Sequence, residues 1–393
     1  MFSARVPRDL SVNRLSAAAA ALRARGAAIV DLTESNPTRA GFVYPPDLLA
    51  PLGDPRGLRY EPHPCGLAAA RAAISAEYAR RDLPVSPDRI VLTASTSEAY
   101  GLIFKLLADP GDDVLVPRPS YPLFEHLTRF DALNARTYDL EHHGAWRIDM
   151  AGLERAWSPR TRAVLLVSPN NPTGSFVTQA ELDRLAALCA DRGAALVVDE
   201  VFADYVLDAG AAAAAGRVLE RSDVLAFALG GLSKSAGLPQ VKLGWIAIGG
   251  PAGAARAAIE RLEFLADGYL SVSTPVQAAA ADLLASGAAV RAQIARRVGD
   301  NHHRLLARAA RVPACRVLRV EGGWSAVLRV PALAAEEDLV LDLLERDRVL
   351  AHPGYFFDFP HECYLVVSLL TAEPAFAAGV DRILRRFERL ETT

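Results

Sequence analysis

Between about residues 88 and 250 the apolar positions fall in short consecutive runs, separated by longer stretches of helical periodicity. Seven runs read as strands: 89–93, 113–117, 136–140, 162–168, 195–200, 224–230 and 242–249. Several are apolar on successive rather than alternate positions, the pattern of strands covered on both faces in a largely parallel sheet. Two of the intervening stretches carry clear helix signals. Ala99, Leu102, Ile103, Leu106 and Leu107 form one stripe, and Leu182, Leu185, Leu188 and Cys189 form another. The second opens on Thr178 and Glu181, at capping-box spacing, and stops at Gly193. The pattern predicts an α/β domain over residues 45–280, with a mostly parallel seven-stranded sheet and helices on both faces.

Beyond about residue 275 the texture changes. A long Ala/Arg-rich helical stretch runs to about 311. Strand-like CRVLRV and SAVLRV follow, then a helix from about 335, strand-like CYLVVSLL and a last helix from about 374. Residues 281–393, together with a helix and the strand AIVDL in residues 1–44, predict a smaller α+β domain. The alanine-rich patch 209–216 reads as a surface loop or helix end.

Composition narrows the classes. The chain has 393 residues, 51% hydrophobic and 23% charged, with a net charge of −3. That balance gives no basis for binding nucleic acid or an anionic membrane. No apolar run has the length of a membrane span, and MFSARVPRDL lacks the apolar core of a signal peptide. Four scattered cysteines without a CxxC pair fit reduced thiols in a cytoplasmic protein. His142–His143 and His302–His303 lie in polar stretches, read as exposed, and no metal-ligand spacing surrounds them, so no metal is expected. The first strand is not followed by GxGxxG, and GxSxG does not occur, so neither a nicotinamide site nor a hydrolase elbow is expected.

Four segments sit just past the C-terminal ends of predicted strands, the edge at which open α/β sheets bind ligands. TASTSE (93–98) opens a helix. Its hydroxyls and free N–H groups suit a phosphate, though Ser95 and Glu98 equally make a capping box. SPNNPTG (168–174) is a turn that holds an asparagine rigidly. VVDE (197–200) ends a strand on Asp199, a carboxylate that needs a partner: a cationic ring nitrogen, a helix N-terminus or a salt bridge. GGLSKSAG (230–237) places Lys234 directly after a strand, where burial favours the free amine.

In this order, with Tyr60 and Gly66 before a helix, PSYP (119–122), GGW (322–324) and HPG (352–354), the chain resembles the class I/II pyridoxal-phosphate-dependent aminotransferases of the aspartate aminotransferase fold. The resemblance spans nearly the whole chain. It implies pyridoxal 5'-phosphate bound to Lys234 as a Schiff base, and a ping-pong exchange between an amino donor and a 2-oxo acid acceptor. Lys234 would also move the substrate proton, and Asp199 would pair with the ring nitrogen. Asn171 would bond the ring oxygen and the substrate, and Tyr121 would stack on the ring. Ser95, Thr96, Ser97, Ser233 and Lys242 would hold the phosphate, with Tyr60 supplied to the neighbouring subunit of a homodimer.

Four positions depart from the family's pattern. Lys242 stands where an arginine usually holds the phosphate, Gly231 where a serine is common, and Phe202 where a tyrosine usually donates to the ring oxygen. Val366 stands where an arginine usually takes the substrate carboxylate, and no Arg or Lys occurs from Val349 to Asp381. Two readings stay open there. Another cation, Arg39 or Arg118, takes the carboxylate, or the substrate lacks one. The same cup would also serve a C–S lyase, a decarboxylase or a non-catalytic cofactor-binding protein.

Overall fold

The computed structural model describes residues 2–388 apart from Leu333 and Glu362. Its centre is an eight-stranded sheet. Ile90–Thr93 lies at one edge, followed by Gly244–Gly249, Ala226–Gly231, Ala195–Asp199, Thr161–Val167, Asp113–Arg118, Asn134–His142 and Trp146–Ile148. The four ladders joining Ala226–Gly231 through to Asn134–His142 are parallel. Gly244–Gly249 runs antiparallel to both its neighbours, and Trp146–Ile148 runs antiparallel at the far edge.

All seven predicted strands are present, and the count is corrected to eight. Trp146–Ile148 is only three residues long, between Gly144 in a left-handed turn (φ 88°) and Asp149, which caps the next helix. Three residues carry too little periodicity to be read from the sequence.

The consecutive apolar runs follow from double coverage. Val114, Val116, Leu165, Val197, Phe227, Leu229 and Ile246 point into one buried cluster. Their sequence neighbours Leu115, Val164, Leu166, Leu196, Val198, Ala228 and Ala247 point into another, on the opposite face. Helix Thr96–Leu107 covers the first face, with Ala99, Leu102 and Ile103 buried. Helix Gln179–Arg192 contributes to the second; its capping box at Thr178 and Glu181 is formed, and Gly193 caps its end at φ 67°.

A four-stranded antiparallel sheet orders Arg316–Val317, Ser325–Arg329, Tyr364–Ser368 and His352–Pro353. A separate parallel pair joins Val30–Asp31 to Val349–Leu350, so the N-terminal segment packs with the C-terminal part. Helices Arg14–Ala24, Ala280–Ala309, Glu336–Glu345 and Glu373–Glu388 complete this region. The alanine-rich patch forms a short helix, Ala209–Ala213, capped by the Asp208 carboxylate. His302 is buried rather than exposed, because it falls on the inward stripe of Ala280–Ala309. No helix among the described residues is long and apolar enough to cross a membrane.

Candidate active site

The strands that run in one direction deliver their C-terminal ends to a single edge of the large sheet. The antiparallel strand begins at that same edge, since Gly244 pairs with both Thr93 and Gly231. A cavity of about 520 Å³ lies there. Ser95, Thr96, Ser97, Tyr121, Asn171, Asp199, Ser233, Lys234 and Lys242 all line it. Nine residues read from the four segments, from PSYP and from position 242 thus meet in one place.

At one end stands the N-terminus of helix Thr96–Leu107. Ser95 is the N-cap and accepts from Glu98 N at 3.2 Å. The Glu98 carboxylate bonds Ala94 N rather than Ser95 N, so Ser95 caps the helix but the reciprocal half of the capping box is not formed. Capping leaves the first-turn N–H groups and the hydroxyls of Ser95, Thr96 and Ser97 facing an anion site, and the helix dipole adds to it. The glycine at 244 is required by this cradle, because a Cβ there would stand 2.9 Å from the Ser95 carbonyl carbon and 3.1 Å from Thr96 N. Lys242 holds a left-handed backbone (φ 62°) and brings its ammonium to the same cavity. At Gly231 a Cβ would come within 3.2 Å of the Leu243 carbonyl oxygen, which accepts from Leu232 N at 2.9 Å. The backbone bond between these strands leaves no room for a serine side chain without a shift.

Asp199 ends its strand almost wholly buried, 9% exposed. It accepts from Tyr100 Oη at 3.1 Å and from Val201 N at 3.1 Å. Burial raises its carboxyl to about 6, against those two bonds and the nearby Lys234 charge. Tyr100 escaped the sequence reading. Its signal was a lone phenol beside the apolar stripe of its helix, and its partner lies 99 residues away.

Lys234 sits in a single helical turn, Leu232–Ser235, rather than in an open loop. Burial lowers its ammonium below the usual lysine range, and Asp199 opposes that shift. Its Nζ lies 5.1 Å from the centre of the Trp324 ring and 5.9 Å from that of Phe202. These rings pack edge to face at 5.3 Å, and Tyr205 packs on Trp324 at 5.0 Å. Tyr205 Oη donates to the Lys234 carbonyl at 2.5 Å, which fixes the turn. The result is an apolar aromatic wall beside an amine whose charged form burial disfavours.

The two asparagines of SPNNPTG divide their work. Asn170 is buried and ties the turn together through Ser120, Pro119 and Thr173. Asn171 faces the cavity, where its Oδ1 accepts from the Ser325 hydroxyl at 3.3 Å.

Three expected residues lie elsewhere. Arg39 is corrected: it is exposed, pairs with Glu34 at 3.7 Å and does not line the cavity. Arg118 is held by both oxygens of Asp139, at 2.7 and 3.0 Å, beside it on the neighbouring strand, and it too is off the cavity wall. Tyr60 is 70% exposed on another surface depression, with Tyr269 and Leu270. Sequence reasoning gave no role to Thr33, Ser35, His352, Phe356 and Phe357, which also line the cavity. HPG and GGW had marked His352 and Trp324 only as members of motifs.

The site therefore offers an anion cradle, a buried carboxylate without a cation in hydrogen-bond contact, and a lysine amine whose charged form burial disfavours. Pyridoxal phosphate fits that set. Its phosphate matches the cradle, its ring nitrogen the Asp199 carboxylate, and its aldehyde the Lys234 amine.

Comparison with known proteins agrees. The model of the family described as aminotransferase class I and II matches residues 33–373. Nicotianamine aminotransferase 1 from Oryza sativa subsp. japonica is 34% identical over 211 residues, 53% of this chain and 42% of that protein. The match thus spans less than half the length of that relative. Alanine aminotransferase from Mycobacterium bovis is 27% identical over 379 residues, 93% of this chain and 87% of the relative. In structure, an alanine aminotransferase from Pyrococcus furiosus superimposes with a TM-score of 0.87 at 22% identity, covering 99% of this chain and all of that one.

Proposed function

Since the chain belongs to the aminotransferase class I and II family, whose members depend on pyridoxal phosphate, we propose that it transfers an amino group from an amino acid to a 2-oxo acid, with Lys234 as the cofactor-bearing and proton-moving group. One observation carries this reading: a lysine whose charged form burial disfavours shares one cavity with a buried carboxylate that has no cation in hydrogen-bond contact.

When bound, the cofactor supplies an electron-accepting ring conjugated to the carbon from which the substrate proton leaves. The chain's own residues do the rest. Lys234 Nζ would take that proton and return it to the carbon on the far side of the intervening nitrogen, a base made more available because burial disfavours its charged form. Asp199 keeps a positive charge on the ring nitrogen. Tyr100 holds the Asp199 carboxylate in place from the helix that also carries the anion cradle. Asn171 would bond the ring oxygen, Tyr121 would cover the ring, and the Trp324–Phe202 wall would keep water from the reacting centre. The working form is read as a homodimer. Tyr60 lies outside this chain's cavity, in a surface depression that it shares with the exposed Tyr269 and Leu270. The cytoplasm remains its expected compartment.

The purified protein is expected to be yellow, and borohydride should fix the cofactor on the peptide containing Lys234; label on another lysine would sink the assignment. An amino donor without acceptor should then convert one equivalent and stop. Continuous release of pyruvate and ammonia would instead make the protein a lyase.

Phe202 supplies a second test. It lines the cavity with no group to donate to the ring oxygen. Phe202→Tyr should lower the pH midpoint of the lysine-bound cofactor's visible band by about one to two units, the worth of one hydrogen bond to a charged oxygen. An unchanged or higher midpoint would mean that residue 202 does not face that oxygen.

A further inference from the structure

The end of the cavity away from the anion cradle is built on one face of the four-stranded sheet. Val366 pairs with His352 on one side and Val327 on the other, and Ser368 pairs with Ser325. Directly opposed residues, and residues two apart on one strand, share a face. His352, Val366, Ser368 and Ser325 therefore project together, and all four line the cavity.

The proposed substrates carry a carboxylate, which sheds water on entering and needs a donor or a cation. Val366 offers neither. The Ser368 hydroxyl donates to the Glu34 carbonyl at 2.5 Å and accepts from Leu370 N at 3.2 Å. Thr33 donates to the Asp31 carboxylate at 2.6 Å, and Ser325 donates to Asn171. Lys242 belongs with the anion cradle and Lys234 with the reacting centre. His352 differs from these hydroxyls. Its half-buried ring packs against Phe356 and Phe357 at 5.7 and 5.8 Å. Among the described residues no hydrogen bond engages its ring nitrogens.

We propose that His352 receives the substrate carboxylate, so that an imidazole on the sheet face beside Val366 sets the preference for amino acids over simple amines. A neutral imidazole donates one N–H to the carboxylate, and a protonated one adds its charge. The inference rests on the aminotransferase reading and makes His352 a specificity-determining residue.

The test compares the amino acid that reacts best in a screen of the twenty common ones with the amine left when its carboxylate is removed. Single-turnover loss of the cofactor's visible band is the readout, on the holoenzyme. Wild type should prefer the acid. His352→Ala should lower that preference about 10- to 100-fold, the range for losing one hydrogen bond to a charged group, with the effect in KM rather than kcat. His352→Gln should keep part of it. Pyruvate should also shift the imidazole NMR signal that is missing from His352→Gln. Equal loss for acid and amine, an undiminished preference, a wild type that takes both alike, or an unmoved imidazole signal would each overturn the assignment. A wild-type holoenzyme with cofactor on Lys234 that reacts with no donor at all would sink the transamination reading, and the assignment with it.

Discussion

Lys234→Ala is expected to bind pyridoxal phosphate, release it on dialysis after borohydride, and lose the half-reaction by at least about 10⁴-fold. Two losses combine. The amine that condenses with the cofactor aldehyde is gone, and so is the base that moves the substrate proton, a role worth about 10²- to 10⁴-fold by itself. The other lysine that lines the cavity, Lys242, is read as an anion-cradle residue rather than a second reacting amine. The fold should survive. The turn is held by Tyr205 through the Lys234 carbonyl rather than through its side chain, and deletion removes an amine whose charged form is disfavoured by burial. Lys234→Arg should be as inactive, because a guanidinium keeps the charge but neither condenses nor accepts a proton near neutral pH. Stopped-flow single turnovers with a saturating donor measure the effect. A rate within tenfold of wild type for either variant would show that Lys234 is not the reacting amine.

The large sheet was legible because both its faces are buried. Residues such as Leu115 and Val116 point into different apolar clusters, so whole strands read as apolar. The same physics placed the site, since parallel strands send their C-terminal ends to one edge, and a Ser/Thr turn, an Asn turn, an Asp and a Lys appeared there in order. Contacts across the fold were less accessible. Arg118 looks like a free cation in sequence, yet its register partner on the next strand is Asp139. Arg39 has its counter-charge five residues back, at Glu34, on the surface. Tyr100 reaches Asp199 only once the helix lies across the sheet. His352 gains meaning from its register opposite Val366, which depends on strand pairing rather than on any local pattern.

Asp199→Asn should show that this position is built for catalysis at the expense of the empty fold. Asparagine keeps one oxygen for Val201 N and turns its NH2 toward the Tyr100 oxygen, which can accept from it, but it cannot pair with a protonated ring nitrogen. Removing one preorganised electrostatic contact of this kind costs about 10²- to 10³-fold, and the half-reaction should fall by that much. The apoprotein should respond in the opposite sense. Burial raises the Asp199 carboxyl to about 6 in the fold, from an ordinary aspartate value of 3.8. Between those values the folded state holds the proton more tightly than the unfolded chain, so stability from this group declines as pH rises, and the full penalty of about 3 kcal/mol applies above about pH 6. Apo Asp199→Asn should therefore exceed apo wild type in urea resistance at pH 7.5, with the gap closing toward pH 4, where Asp199 is neutral. Adding pyridoxal phosphate should narrow or reverse the gap, because only the carboxylate gains a partner. A gap independent of pH would mean that Asp199 is not held in the raised state. A wild type that is the more stable apoprotein at pH 7.5 would mean that its burial is already compensated before the cofactor binds.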